Sequence, residues 1–216
     1  MRSLLAIADP TRWNASCARS TKRRAQSEEA NFLMKNNDQH GKFTGPGEVR
    51  LVRTLPGPIE RVWEYLIDSE KRARWFAGGV LEQKPGSRVE FAMRQANLAP
   101  DETPPDKYKH MHHTGVTIEG RVLRCEPPRL LVFTFGGDDS EVTFELTPQG
   151  SQVLLMLTHL ARGEDLPDLS SFAAGWHTHL AQLAAQLEGT PRPSFWPMHA
   201  RLQADYQKLQ TAATPS

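Results

Sequence analysis

Histidines are the side chains of this sequence best suited to acid–base chemistry at neutral pH. One group surrounds His112 and His113 at the end of a long polar segment, and another histidine, His179, follows Trp176 at short helical spacing. An imidazole changes charge near neutral pH and can therefore shuttle a proton. If the protein is an enzyme, its candidate catalytic residues are His112, His113 and His179.

The first histidine group also has the spacing of a metal chelate. On an extended segment His110 and His112 would point the same way, and they could bind a divalent ion together with Asp101, Glu102 or Asp106. A polar loop that leads into a strand explains the same residues without a metal. We therefore predict no metal site and no cofactor.

The other charged residues argue against hydrolytic chemistry. Arg88, Glu90 and Arg94 alternate with apolar neighbours, and Glu119 and Arg121 do the same, so these charges are expected to face water. Neither order nor spacing suggests paired carboxylates or a Ser–His–Asp arrangement. This pattern argues against a hydrolase and, less strongly, against any enzyme.

A strand, two short helices and an antiparallel meander must position these residues. Residues 48–55 alternate with a period of two, and residues 59–67 have the apolar spacing of an amphipathic helix. Asp68 is a suitable cap for a second short helix that runs through Phe76. Turn signals such as Pro85-Gly86 then separate six further strands, at 80–84, 87–94, 114–126, 129–135, 140–147 and 151–160.

The last part of the chain is predicted to be helical. Asp168 or Ser170 can cap a helix with one wholly apolar face, and Gly189 ends it. Prolines after Gly189 predict a linker, and residues 200–210 predict a short final helix. Between the third and fourth strands, the polar segment Gln95–His113 is long for a loop in a compact domain, and such loops are usually functional or mobile.

Composition and charge exclude several classes of protein. The chain has 216 residues, of which 26 are Lys or Arg and 25 are Asp or Glu, so it is not a generally basic nucleic-acid binder. Its apolar content of 38% indicates a folded domain, and no apolar run approaches the ~18 residues of a membrane span. Cys17 and Cys125 cannot build a disulfide framework, which favours a reducing compartment. We expect a cytoplasmic protein with no nucleic-acid or membrane partner.

Residues 1–46 differ from the rest of the sequence. They have no sustained apolar period and carry a basic cluster at residues 22–24. A basic arm for nucleic acid or an organellar transit peptide would have this composition, but a solvated, disordered leader explains it equally and is the reading we favour. Met34 is an alternative start of the protein, so the first 33 residues need not belong to it.

Three ordered motifs resemble the START-like SRPBCC superfamily. They are the segment from Pro58 to Asp68 with Arg74-Trp75-Phe76 behind it, the hairpin from Glu126 to Gly136, and Gly175-Trp-His-Thr-His-Leu180. Within the superfamily they resemble the branch related to the activator of heat-shock protein 90 ATPase. The likeness covers residues 48–189.

The resemblance implies an α+β helix-grip fold. In this fold a curved antiparallel sheet of six to seven strands wraps around a long C-terminal helix, and two short helices follow the first strand. The chain then divides into a leader over residues 1–46, a START-like domain over 47–189, and a Pro-rich linker with a short helix over 190–216.

A helix that grips a curved sheet leaves a space between them, and this space is the expected ligand site. Alternation along the strands and the apolar face of the helix predict its lining, although the same side chains could simply fill the interior. The predicted ligand-binding residues are Trp75, Phe76, Phe91, Met93, Ile118, Phe133, Phe135, Phe144, Phe172, Trp176 and Leu180.

The favoured hypothesis is a binding protein for a small hydrophobic or amphipathic molecule. One alternative, by analogy with other members of the superfamily, is an enzyme of the cyclase or dehydratase type that uses a rim histidine. Another, suggested by the family name, is an accessory protein of a chaperone ATPase, and a homodimer also stays open. The motifs are specific for the family and not for an activity.

Overall fold

The computed structural model describes residues 37–164 and 166–213. The predictions for residues 1–36 lie outside this range. The chain divides into two units, one ending at Asp38 and one beginning at Gln39, and the architecture below belongs to the second unit.

One antiparallel sheet forms the body of the described chain. Its seven strands are arranged in the order β1-β2-β7-β6-β5-β4-β3, so that only β2 and β7 are neighbours without being consecutive. The predicted α+β helix-grip fold is confirmed, with a curved sheet against one long helix. The strands are β1 (Lys42–Gly45), β2 (Glu48–Pro56), β3 (Arg88–Met93), β4 (Val116–Glu126), β5 (Leu130–Thr134), β6 (Ser140–Gln149) and β7 (Gln152–Ala161).

Short helices connect the strands, and two long helices follow them. The long helix α4 begins after Asp168, whose carboxylate accepts from the Ser170 amide, and ends at Gly189, which has a positive φ of 68°. Short 3-10 turns occupy Gln95–Asn97 and Asp106–Tyr108. The helices are α1 (Ile59–Ile67), α2 (Ser69–Ala73), α3 (Lys109–His113), α4 (Leu169–Glu188) and α5 (Phe195–Ala213).

The main core lies between the sheet and α4. Alternate residues of the central strands point inward and meet across the sheet, for example Leu131 with Phe144 and Phe133 with Val142. Leu180 from α4 is completely buried against this face. The apolar stripe of α4 therefore packs where its spacing predicts.

Three segments differ from the sequence prediction. Residues 80–84 form only an isolated bridge, between Leu81 and Val89, although the Val80 carbonyl accepts from the Glu90 amide at 2.8 Å. Gly79, with a positive φ of 102°, interrupts the extended backbone before them. Strand β1 falls within the stretch predicted as a leader. The final helix begins at Phe195, five residues earlier than expected, because Pro197 sits in its first turn, where a missing amide hydrogen is tolerated.

Candidate functional site

A cavity of about 180 Å³ lies between the sheet and α4. We call the lining residues from the sheet, from α4 and from the segments that follow α2 and β5 the floor, and those from segment 95–113 and from α5 the roof. The floor consists of Phe76, Met93, Ile118, Phe135, Ser171, Phe172, Gly175, Trp176 and His179. The roof consists of Gln95, Tyr108, Met111, Phe195, Trp196 and His199.

Aromatic rings make up much of the floor, and they contact one another. The centroid of Phe76 lies 4.9 Å from that of Trp176 and 6.2 Å from that of Phe135. Phe135 in turn lies 5.8 Å from Trp176. Rings at these separations form a continuous apolar surface whose members restrict one another's movement.

Trp176 is held in place by a buried hydrogen-bond chain behind the floor. Its indole Nε1 donates to Nδ1 of His159 at 2.9 Å, and the other ring nitrogen of His159 lies 2.8 Å from the Ser140 hydroxyl. Since Nδ1 accepts, the hydrogen of the neutral imidazole is on Nε2, which donates to Ser140. Burial lowers the pKa of His159 to about 4, consistent with a neutral ring. The Ser140–His159 pair therefore has the wrong tautomer to activate a nucleophilic serine.

His179 lines the cavity, and its two ring nitrogens differ in protonation. Its Nδ1 donates to the backbone carbonyl of Trp75 at 2.8 Å, so the neutral ring has an unprotonated Nε2. Burial lowers the pKa of His179 to about 4, against a smaller opposing effect of the hydrogen bond to Trp75. At neutral pH this side chain is thus a hydrogen-bond acceptor and not a cation.

The roof is fastened through polar contacts. Both carboxylate oxygens of Glu102 accept from the first amides of α5, those of Phe195 and Trp196, at 2.8 and 2.7 Å. The indole Nε1 of Trp196 donates to Nδ1 of His112 at 3.1 Å, and its ring stacks on Tyr108 at a centroid distance of 5.3 Å. Segment 95–113 therefore holds the start of α5 over the cavity.

Two buried polar atoms of the roof have no hydrogen-bond partner in the described part of the chain. They are Oε1 of Gln95 and Nδ1 of His199, and the two residues are only 2% and 5% exposed. Burial, with a smaller effect of the Lys107 charge, lowers the pKa of His199 to about 4. Buried polar groups are nearly always paired in folded proteins, so these atoms indicate a place where a polar group from outside the chain fits.

The structure places the predicted site residues in the cavity lining, in or beside the roof contacts, and in the surrounding core. Among the candidate catalytic residues, His179 lines the cavity, His112 accepts a hydrogen bond from Trp196 of the roof, and His113 is exposed beside it. Six of the predicted ligand-binding residues line the cavity: Phe76, Met93, Ile118, Phe135, Phe172 and Trp176. The others belong to the buried core around it: Trp75, Phe91, Phe133, Phe144 and Leu180.

Sequence reasoning missed most of the roof. Gln95 could have been found, because it continues the inward alternation of Val89, Phe91 and Met93. The adjacent Phe195 and Trp196 are two large apolar residues in a Pro-rich stretch, an unusual content for a solvated linker. The neighbouring prolines place both residues in a predicted linker.

The alternative of a metal site lacks a suitable group of ligands in the described residues. Within 37–164 and 166–213 no group of three His, Cys, Asp or Glu side chains could hold a metal ion. His110 and His112 lie on helix α3 and not on an extended segment, and the Glu102 carboxylate caps α5. Of the helices that the structure describes, none has the length and apolarity needed to cross a bilayer.

Solved structures share this architecture. The protein encoded by gene BPP1335 of Bordetella parapertussis is 43% identical, with 79% of this chain and 90% of that chain covered and a TM-score of 0.65. CalU16 from Micromonospora echinospora is 23% identical over 79% of this chain and 94% of that one, with a TM-score of 0.54. DynU16, of the dynemicin biosynthetic locus, is 23% identical over 68% of this chain and half of its own, with a TM-score of 0.53.

The family itself is shown by two of these comparisons. No curated protein matches the sequence. The family model described as Activator of Hsp90 ATPase homolog 1-like protein matches residues 56–188, which run from the last residue of β2 to the end of α4 and include the floor. Together with the 43% identity to the Bordetella protein, this match shows that the chain belongs to the activator of Hsp90 ATPase homolog 1-like family of SRPBCC proteins.

Proposed function

We propose that the protein binds a small, largely apolar molecule in the cavity between the floor and the roof. The observation that carries this proposal is an aromatic cavity of about 180 Å³ in which two buried polar atoms, Gln95 Oε1 and His199 Nδ1, have no partner in the described chain. Apolar pockets with a few placed polar groups are typical of small-molecule sites.

Burial of apolar surface would supply most of the affinity. Each Å² of apolar surface removed from water contributes about 25 cal/mol, and the floor offers mainly aromatic and aliphatic carbon. Because the rings of Phe76, Phe135 and Trp176 already contact one another, little ordering of the floor is needed on binding. The similar fold of DynU16, from the dynemicin biosynthetic locus, agrees with a small-molecule role.

Gly175 makes the proposal directly testable. It lies on α4 in the cavity lining, and a Cβ placed on it would meet no atom within 4 Å. A Gly175→Leu substitution should therefore fill part of the cavity without a clash, and leucine favours the helix over glycine by roughly 1 kcal/mol. The matched control is Ala204→Leu, which adds the same side chain to an exposed position of α5.

The experiment compares native and denatured masses of the protein purified from its own host. We expect a bound small molecule in the native protein and in Ala204→Leu, and its loss or strong depletion in Gly175→Leu. Equal occupancy in Gly175→Leu and the control would contradict binding in this cavity. The extracted molecule would also identify the chemical class of the ligand.

An enzyme is the second candidate, and the position of His179 favours it. His179 lines the cavity and its Nε2 is unprotonated, so it could accept a proton from a confined substrate. The pKa of about 4 makes it a weak base, so we rank this function below binding. Turnover of an extracted molecule that is lost in His179→Asn, with binding retained, would support an enzyme, whereas unchanged turnover in every single histidine variant would exclude this mechanism.

Three further properties stay predictions. A role as an accessory protein of a chaperone ATPase rests on the family description alone. A homodimer and a cytoplasmic location rest on sequence reasoning. Stimulation of a chaperone ATPase by the purified protein would test the first, and sedimentation analysis would test the second.

A further inference from the structure

The chemical character of the cavity lining indicates what kind of molecule it accepts. Among the described residues that line the cavity, none is Asp, Glu, Lys or Arg. The two lining histidines, His179 and His199, each have a pKa lowered to about 4 and are neutral at pH 7. A charged ligand would lose its hydration there without meeting an opposite charge, which is strongly unfavourable.

The polar atoms of the lining are mainly acceptors, which a hydrogen-bond donor on the ligand would satisfy. Oε1 of Gln95 is an acceptor, it is buried, and it has no partner in the described chain. The free Nε2 of His179 is also an acceptor, because Nδ1 holds the hydrogen that is donated to Trp75. A molecule that only accepts hydrogen bonds would leave both unsatisfied, whereas a hydroxyl group can satisfy one of them.

Nδ1 of His199 adds a more tolerant polar contact. A neutral imidazole can have its hydrogen on either nitrogen, so this atom can donate to or accept from a ligand. His199 lies on α5 and lines the same cavity as His179, and the ring of Phe195 lies between them in contact distance, with centroids 6.4 Å from His199 and 5.1 Å from His179. The polar end of a bound molecule would thus face the α5 side.

Size and shape restrict the molecule further. A dry cavity of about 150 Å³ is known to accept benzene, and this one is slightly larger, at about 180 Å³. Its walls are the faces and edges of rings such as Phe76, Phe135 and Trp176, which pack best against a flat aromatic partner. The space therefore suits one ring or two fused rings.

We propose that the cavity selects an uncharged, flat molecule of one or two rings with a hydroxyl group that donates to Oε1 of Gln95. This inference rests on the proposed binding function and specifies its ligand class. It makes Gln95 the residue that distinguishes a hydroxylated ligand from an equally large hydrocarbon.

Four probes of similar size test this selectivity by calorimetric titration at pH 7. Naphthalene has no polar group, 2-naphthol adds a donor, 2-methoxynaphthalene has only an acceptor, and 2-naphthoate is charged. We expect 2-naphthol to bind roughly tenfold more tightly than naphthalene or 2-methoxynaphthalene, since it alone pairs a buried acceptor. 2-Naphthoate should bind most weakly or not at all.

Substitution of Gln95 assigns the preference to its amide. Gln95→Met keeps the length of the side chain and removes the acceptor, so the advantage of 2-naphthol over naphthalene should fall to near unity while naphthalene binds at least as well as before. The matched control, Gln207→Met, lies on the exposed face of α5 and should keep the full preference.

The outcomes separate this inference from the proposed function. If naphthalene and 2-naphthol bind equally to the unaltered protein, or if 2-naphthoate binds as tightly as 2-naphthol, the donor-selective site is overturned while the binding function stands. A preference that survives in Gln95→Met also overturns the role of Gln95. If none of the four probes binds, the proposed function itself is contradicted for ligands of this size.

Discussion

The floor of the cavity belongs to the main core of the protein, whereas the roof has a small core of its own. Trp176 of the floor is part of a cluster that extends through the whole sheet and α4. The roof cluster consists of Leu98, Ala99, Phe195 and Trp196, with Tyr108 packed against them. A region with few buried apolar contacts opens more readily than the core of its domain.

Polar contacts compensate for the small size of the roof cluster. Floor side chains are held by packing and by sheet registers that leave little freedom. The roof depends on the Glu102 carboxylate at the start of α5 and on the bond from Trp196 to His112. The difference suggests that a rigid floor provides shape, while the roof carries the unpartnered Gln95 Oε1 and His199 Nδ1 and is where we expect a ligand to enter.

Lowering the pH should destabilise the floor and the roof together, and this is the largest effect we expect. Burial lowers the pKa of His159, His179 and His199 from 6.5 to about 4, so the unfolded chain binds more protons below pH 6.5. Each contributes stability that is present above pH 6.5 and is lost by roughly 1.4 kcal/mol per pH unit down to the folded pKa. Together these losses are comparable with a typical domain stability of about 5–15 kcal/mol.

We therefore predict unfolding of floor and roof together between pH 6.5 and 4, measured by near-UV circular dichroism. His159→Asn keeps an acceptor for Trp176 and should reduce the proton uptake on unfolding by one. His110→Asn, at an exposed histidine, is the surface control. Stability that is flat between pH 7 and 5 would show that these histidines are not buried in the neutral form.

Truncating one aromatic side chain in each region tests whether the floor and the roof unfold separately. Phe133 is 1% exposed behind the floor, and Phe133→Ala should lower the free energy of unfolding by about 3–5 kcal/mol. Phe195 is equally buried, at 2%, but belongs to the roof cluster. Because the roof can open without the core, Phe195→Ala should lower the free energy of global unfolding by less than Phe133→Ala. Urea denaturation measures both, and equal losses would mean that roof and floor unfold as one unit.

Removing the Glu102 carboxylate that holds the start of α5 should have the smallest and most local effect. Glu102→Ala removes the carboxylate that accepts from the Phe195 and Trp196 amides, at a cost of about 1 kcal/mol. Hydrogen exchange should become roughly fivefold faster at these two amides and stay unchanged in β5 and β6. Glu126→Ala, at an exposed carboxylate, is the control. Faster exchange throughout the sheet would contradict a separate roof.

The floor was largely predictable from the sequence, because periodicity reports which face of an element is buried. The alternation that includes Met93 and Ile118 and the helical spacing around Trp176 identified side chains that line the cavity. The same alternation could not separate them from Phe91 and Phe133, which face the same side of the sheet but are covered by neighbouring rings. Periodicity predicts burial and does not locate empty space.

The roof could not be predicted in the same way, because its contacts join segments that are distant along the chain. Glu102 is more than ninety residues from the amides it caps, and no local pattern links His112 to Trp196. The lowered pKa values of His159 and His179 likewise arise from tertiary burial. Element types follow from local spacing, whereas the polar chemistry of this site follows from contacts between segments that are distant along the chain.

The central claim is that a ligand binds between floor and roof, and the indole N–H signals of the protein test it most directly. Trp176 and Trp196 line the cavity, whereas Trp63 is buried elsewhere with its Nε1 donating to Gln83. In an NMR titration with 2-naphthol, with signals assigned by Trp→Phe substitution, we predict shifts for Trp176 and Trp196 and an unmoved signal for Trp63. Three unmoved signals, or a shift of Trp63 as large as that of Trp176, would contradict the account.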